Sequence, residues 1–222
     1  MFDRISPRYD LLNRILSGGN DMRWRKKAVD MLGDLKGKTA LDLCCGSGDF
    51  LTILSEFYHS DINLYGADFA KNMLNIAHSR LGLDHRRNII LCQADAQALP
   101  FADNSINAVT IGFGIRNVTD KNKSLKDIHR VLSPTGKLVI IEPSIPKNKF
   151  VAFCFGFYFG KIMPLIGGLI SGDFQAYKYL NKSVEAFPLP DNFCQMMTRA
   201  GFSNSKAYPQ LLGTAVIYYA EK

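Results

Sequence analysis

The spacing of apolar positions changes along this chain. Near the start, Tyr9, Leu11, Leu12, Ile15 and Leu16 fall together on one helical face, and Gly18-Gly19 stops the run. A second helix is predicted from about Asp21 to Leu35. From Lys38 onward, short apolar runs alternate with helical patterns, as expected of βαβ units around a parallel sheet. Predicted strands are Thr39–Leu43, Asn63–Ala67, Ile89–Cys92, Ala108–Gly112 and Lys137–Glu142, with helices near Phe50–His59, Ala70–Leu81 and Lys121–Leu132. Ser133-Pro134-Thr135-Gly136 reads as a turn after the last of these helices. A helix near Asp191–Ala200 and two strands, the last near Thr214–Tyr219, read as a hairpin closing the sheet.

The predicted fold is α/β: a doubly wound, mostly parallel seven-stranded sheet in one domain. Residues 1–36 form a helical N-terminal lid, 37–143 a cofactor-binding core, 144–190 a substrate-side insertion, and 191–222 the closing helix and hairpin. The insertion contains Phe150–Ile170, apolar around most of a helical wheel but interrupted by Lys161 and Pro164. Phe150–Gly160 would reach only about 16 Å as a helix, against a bilayer core of roughly 30 Å. A membrane span would also separate the later strands from their sheet. The readings left are a lid shaped for an apolar substrate, an element dipping into a membrane surface, and a buried helix pair.

Composition narrows the class. At 47% apolar and 21% charged residues over 222, the chain is globular rather than disordered, collagen-like or coiled-coil. Twenty-seven Lys and Arg against 20 Asp and Glu give +7, a modest excess that suits an anionic membrane surface or nucleic acid. The densest run, Arg23-Trp24-Arg25-Lys26-Lys27, lacks regular aromatic platforms and reads as a solvated helix face, so no nucleic-acid partner is expected. Five cysteines without a C-x-x-C pair indicate neither a disulfide framework nor a metal site. The first residues carry no apolar stretch of signal-peptide length, which makes a cytoplasmic protein the expectation, with peripheral membrane contact and a homo-oligomer left open.

The candidate chemistry starts at Ala40-Leu41-Asp42-Leu43-Cys44-Cys45-Gly46-Ser47-Gly48-Asp49, a strand running through a small-residue loop into a helix. Such a loop lets a ligand approach the backbone closely. Asp68 follows Gly48 by 20 residues, at the end of the second strand, where an acid can accept ribose hydroxyls. A dinucleotide site wants a third glycine, but Leu51 stands there, and Asp42 and Asp49 disfavour a pyrophosphate. They favour a ligand with an ammonium group, which puts S-adenosylmethionine ahead of NAD. After the third strand, the Asp95 carboxylate can accept an adenine amino group and the Ala96 N–H can serve a ring nitrogen. The rival reading of Asp95 is a plain helix cap.

These residues resemble the class I S-adenosylmethionine-dependent methyltransferases. Within that class the chain is similar to the ubiquinone/menaquinone biosynthesis C-methyltransferases of the UbiE/MenG type. The resemblance rests on Phe2–Asn13, Trp24-Arg25-Lys26, Gly112–Asp120, Ile141–Ser144 and Tyr177–Ser183, and covers nearly the whole chain. It implies cofactor contacts at Gly46, Ser47, Asp68, Asp95, Ala96 and Gly112. Gly112 stands where some members carry Ser, so a hydroxyl contact is lost. It also implies ring methylation of a prenylated quinol, demethylmenaquinol first, with a methoxybenzoquinol of the ubiquinone route as the near rival. Another small lipid or a nucleic acid as methyl acceptor is more distant. Arg116 follows the fourth strand and is the candidate for stabilising a quinolate oxygen, with Asn117 orienting a water or a quinol oxygen. Tyr9 on the N-terminal lid is a further catalytic candidate, balanced against simple helix packing. No histidine stands out as a base.

Overall fold

The computed structural model describes residues 14, 17–59, 61–82, 88–158, 160 and 174–222. The predicted helix around Tyr9, including Tyr9 itself, lies outside them, as do residues 161–173 of the apolar insertion. The elements are α1 (Asp21–Leu32), β1 (Lys38–Leu43), α2 (Asp49–Tyr58), β2 (Ile62–Asp68), α3 (Lys71–Leu81), β3 (Ile89–Gln93) and β4 (Ile106–Gly112). They continue with α4 (Lys121–Val131), β5 (Leu132–Pro143), α5 (Lys149–Phe157), α6 (Phe174–Glu185), α7 (Pro190–Arg199), β6 (Ser203–Gln210) and β7 (Ala215–Glu221). Every strand and helix predicted within the described residues is found, with ends moved by a few residues.

The strands form one seven-stranded sheet in the order β3-β2-β1-β4-β5-β7-β6. β1 to β5 are parallel, and β7 runs antiparallel between β5 and β6. The order reverses direction at β1, which is where an open α/β sheet leaves a crevice beyond its strand ends.

Both faces of the central strands are covered, so their side chains are apolar with little alternation. On β5, Val139 and Ile141 join the core beneath α1 and α2, while Leu138 and Ile140 join the opposite core with Leu125, Ile128 and Phe193. Gly66 shows how tightly one face closes: a Cβ there would lie 2.6 Å from Leu51 Cδ1 and 2.7 Å from Leu91 Cδ2.

Two expectations change. The turn at 133–136 is absorbed into β5 as an irregularity: Leu132 pairs with Ile106 and Lys137 with Ala108, leaving the residues between out of register. The run 23–27 is not a uniformly solvated face. Arg23, Lys26 and Lys27 are exposed, but Trp24 and Arg25 are buried against the sheet. No residue of α5 is buried, and Phe150, Phe153 and Phe157 are exposed, so this part of the insertion is not a core helix. Among the described residues, no helix is long and apolar enough to cross a membrane.

Candidate active site

A cavity of about 400 Å³ opens beyond the C-terminal ends of β1, β2 and β4. Its wall is built from the segments after four successive strands: Leu43–Ser47 after β1, Asp68–Ala70 after β2, Ala94–Gln97 after β3 and Gly112–Gly114 after β4, with Asn117 nearby. The parallel topology collects these segments at one edge, whatever their separation in sequence.

The loop after β1 turns through positive φ at Cys44 (57°), Gly46 (54°) and Gly48 (90°). Gly46 and Gly48 adopt this conformation without the strain a side chain would add. Asp68 fixes the loop from the side: its Oδ2 accepts from the Gly46 N–H at 2.9 Å and its Oδ1 from the Ala70 N–H at 2.8 Å. Ser47 is buried in the wall, and its carbonyl accepts from Arg80 Nη1 at 3.1 Å. Gly114 lets the β4 loop close on the β1 loop; a Cβ there would overlap the Cys44 Cβ.

Asp95 lines the cavity in a short turn, not at a helix start. Its Oδ1 accepts from the Gln97 backbone N–H at 2.8 Å, and this bond holds the carboxyl below the ordinary range. Ala96 beside it is buried. Phe69 stands at the mouth next to Asp68, 73% exposed, and offers an aromatic face that the sequence did not single out. Gly112 lines the wall too. A Cβ there would press on the Phe50 ring at 3.0 Å, so the bulky α2 aromatic explains glycine here.

The two flanking acids behave differently from the expectation. Asp42 does not line the cavity. It is buried, accepts from Thr110 Oγ1 at 2.9 Å, and burial pushes its pKa up to about 8. A carboxyl holding its proton near neutrality offers no charge to an ammonium group. Asp49 does line the cavity and is buried between two cations, Arg80 at 3.1 Å and Arg25 at 3.6 Å.

Arg25 is the residue that sequence reasoning missed. Its guanidinium is buried in the cavity wall, 5.2 Å from the Phe113 ring centre and 5.6 Å from that of Phe50. Its Nη1 pairs with the buried Asp21 at 2.8 Å, four residues earlier on α1. The only local signal was an acid four residues before a base, which on an exposed helix means little.

Arg116 and Asn117 part company. Both lie on the short 3-10 turn Ile115–Asn117. Asn117 faces the cavity, and its Oδ1 accepts from the Tyr179 hydroxyl of α6 at 3.3 Å. Arg116 is not among the lining residues. Its Nη1 pairs with the fully buried Glu142 at 2.8 Å and also donates to the Phe113 carbonyl. Its backbone N–H donates to Glu142 Oε1 at 3.2 Å. Burial raises the Glu142 pKa, and Arg116 opposes that rise. The pair clamps the turn that presents Asn117. No described histidine lines the cavity, and the described residues contain no cluster of metal-ligating groups. Burial pushes the Cys44 and Cys45 thiols well above their ordinary range, so both are inert wall residues.

The comparisons with known proteins agree with this geometry. A family model described as the ubiE/COQ5 methyltransferase family matches residues 1–222. The chain is 48% identical over 207 residues to a demethylmenaquinone methyltransferase of Thermus thermophilus, covering 91% of each chain. It is 41% identical to a ubiquinone/menaquinone biosynthesis C-methyltransferase of Geotalea uraniireducens, covering all of this chain and 94% of that one. Among solved structures, a SAM-dependent methyltransferase of Thermotoga maritima, described as a possible histamine N-methyltransferase, superposes with a TM-score of 0.68 at 18% identity. It covers all of this chain and 97% of that one. At that identity the likeness shows the fold, that of S-adenosylmethionine-dependent methyltransferases.

Two outcomes follow from the buried acids. The folded state keeps the Asp42 proton up to about pH 8, whereas the unfolded chain loses it near its ordinary value of 3.8. Folding therefore loses stability as pH rises between those limits, by up to about 1.4 kcal/mol per pH unit. Asp42→Asn keeps the acceptor for Thr110 and removes that loss. Urea midpoints of variant and parent should diverge in the variant's favour from about pH 5 to about pH 8; parallel curves would mean that Asp42 is already ionised. For the clamp, Arg116→Met should cost about 3–5 kcal/mol of unfolding free energy by stranding Glu142. Adding Glu142→Gln should recover part of it; an additive pair of losses would show that the two side chains are not coupled.

Proposed function

This chain belongs to the ubiE/COQ5 methyltransferase family, and from that premise we propose that it transfers a methyl group from S-adenosylmethionine to a ring carbon of a prenylated quinol, demethylmenaquinol first. The observation that carries the reading is a single cavity that joins Asp68 and Asp95 on one side of β1 to Gly112 and Asn117 on the other.

The residues present fit the cofactor. Asp68 brings a carboxylate to the cavity wall for ribose hydroxyls, Asp95 and Ala96 offer an acceptor and a backbone donor for adenine, and Gly46 and Ser47 form the floor. When bound, the cofactor supplies an electrophilic methyl on a sulfonium. The protein's task is to make a ring carbon nucleophilic beside it. A phenol with a pKa near 10 is only about a thousandth ionised at pH 7, a deficit worth about 4 kcal/mol. Asn117 can bind the ring oxygen or a water that takes its proton. Arg116 acts through Glu142 as a positioning residue that holds this turn. The hydroxyl of Tyr179 bonded to Asn117 makes α6 part of the same wall.

The acceptor carries a long apolar chain, and the exposed Phe150, Phe153 and Phe157 stand beside Lys147 and Lys149. With the net charge of +7, these support a peripheral contact through which a membrane-borne quinol reaches the site.

The assay is incubation with methyl-labelled S-adenosylmethionine and a chemically reduced naphthoquinol or benzoquinol, read by lipid mass spectrometry. Ring-methylated naphthoquinol is the expected product; methylated benzoquinol alone moves the chain to the ubiquinone route, and methylation of neither overturns the substrate reading. Asn117→Ala should lower kcat about 100-fold while leaving cofactor affinity within about twofold. Sedimentation with anionic phospholipid vesicles should carry the protein down, and Phe150→Ser with Phe153→Ser should release it. Equal sedimentation of parent and variant would remove α5 from the contact.

A further inference from the structure

The turn that joins β6 to β7 carries two leucines where the backbone asks for glycine. Leu211 (φ 41°), Leu212 (φ 57°) and Gly213 (φ 91°) stand in succession in the left-handed region. Glycine, and after it asparagine, adopts that conformation at little cost; a leucine does not. Burial of the side chains would offset such strain, but Leu211 is 53% and Leu212 77% exposed. A lone exposed leucine means little. Two adjacent ones, held in a strained turn with most of their surface in water, mark a site whose partner lies outside the chain.

The topology places this tip. Pro143 at the end of β5 pairs with Ala215 at the start of β7, so the tip stands at the sheet edge where the cavity opens. The Ser144 N–H donates to the Thr214 carbonyl at 2.9 Å, and a Cβ on Gly213 would lie 3.5 Å from the Pro146 Cα. Between those two contacts Ile145 is exposed. The tip is thus tied to the segment that leads into α5 and its exposed Phe150, Phe153 and Phe157.

The other side of the tip is basic. Gln210, the residue before Leu211, accepts through Oε1 from Lys27 Nζ at 3.3 Å. Lys27 shares one face of α1 with Arg23 and Lys26, at spacings of three and four residues, and all three are exposed. Asp30 is the exposed acid on that face, so positive charge is in excess. Lys147 is matched by Asp191 at 3.1 Å and adds nothing to it. Cations flanking an apolar tip are complementary to anionic headgroups over an acyl layer. A second copy docked tip to tip would set the same cations against each other.

We propose that the β6–β7 tip is a lipid-inserting wedge: Leu211 and Leu212 enter the headgroup–acyl boundary of an anionic bilayer, and Arg23, Lys26 and Lys27 hold the headgroups beside it. This rests on the peripheral contact inferred above for α5 and adds a second anchor. It turns the sheet edge that carries the cavity toward the bilayer in which a prenylated acceptor resides.

Leu211→Asn with Leu212→Asn removes the apolar surface and suits the left-handed backbone. The double variant should melt about 2–4 °C above the parent. Its affinity for mixed phosphatidylglycerol and phosphatidylcholine vesicles, read by sedimentation, should fall about 10- to 100-fold. Arg23→Gln with Lys26→Gln should lower affinity for those vesicles about fivefold per charge and leave binding to pure phosphatidylcholine vesicles unchanged. Leu212→Trp, read against the buried Trp24, should be quenched by brominated acyl chains. Unchanged vesicle affinity in the double Asn variant, or no quenching at position 212, removes the tip from the contact even where Phe150→Ser with Phe153→Ser still releases the protein. A double Asn variant that melts below the parent shows that the leucines pack within the fold, and overturns the wedge. A parent dimer that this variant dissolves in sedimentation velocity makes a second copy the occupant and overturns the lipid assignment. If the parent binds no vesicles at all, the peripheral-contact reading itself fails and the wedge falls with it.

Discussion

Carboxylates crowd the C-terminal edge of this sheet, and the structure depends on giving each its own partner. Asp42 takes a hydroxyl from Thr110, Asp68 takes two backbone N–H groups, Asp49 sits between Arg80 and Arg25, and Glu142 is paired with Arg116. Acids brought together at low dielectric repel one another and lose hydration, so each must be neutralised, paired or hydrogen-bonded. These solutions also shape the cavity. The bond from Gly46 to Asp68 bends the first loop, and the ion pair to Glu142 holds the turn after β4.

That arrangement separates two kinds of polar residue that look alike in sequence. Arg116 and Asn117 are neighbours, but the arginine is spent inside the protein and the asparagine meets the cavity. Asp42 and Asp49 flank one loop, but burial leaves Asp42 protonated near neutrality, while cations surround Asp49. The same logic makes Arg25 notable. It is a buried cation balanced by Asp21 and Asp49 and flanked by the rings of Phe113 and Phe50.

The substrate side has a different physical character. α5 shows Phe150, Phe153 and Phe157 to solvent instead of the core, and α6 reaches back through Tyr179 to Asn117. A catalytic edge rich in charge thus borders a helix rich in exposed aromatic surface. That pairing suits an acceptor with a polar ring and an apolar tail.

The fold was legible in the sequence because its cause is periodic. Strands buried on both faces leave continuous apolar runs, helices between them leave a 3.6-residue stripe, and the two together dictate a parallel sheet. The cofactor half of the site was legible for a related reason. Gly46, Asp68 and Asp95 each sit just after a strand, and parallel strands bring their C-terminal ends to one edge. What the sequence left open is decided by long-range packing. Nothing local tells that Arg25, in a basic run on α1, turns inward between Phe50 and Phe113. Nothing local tells that Arg116 is claimed by Glu142, 26 residues later, or that Tyr179 reaches Asn117 across 62 residues. The direction of a charged side chain is set by which buried partner lies within reach, and only the assembled tertiary structure brings those partners together.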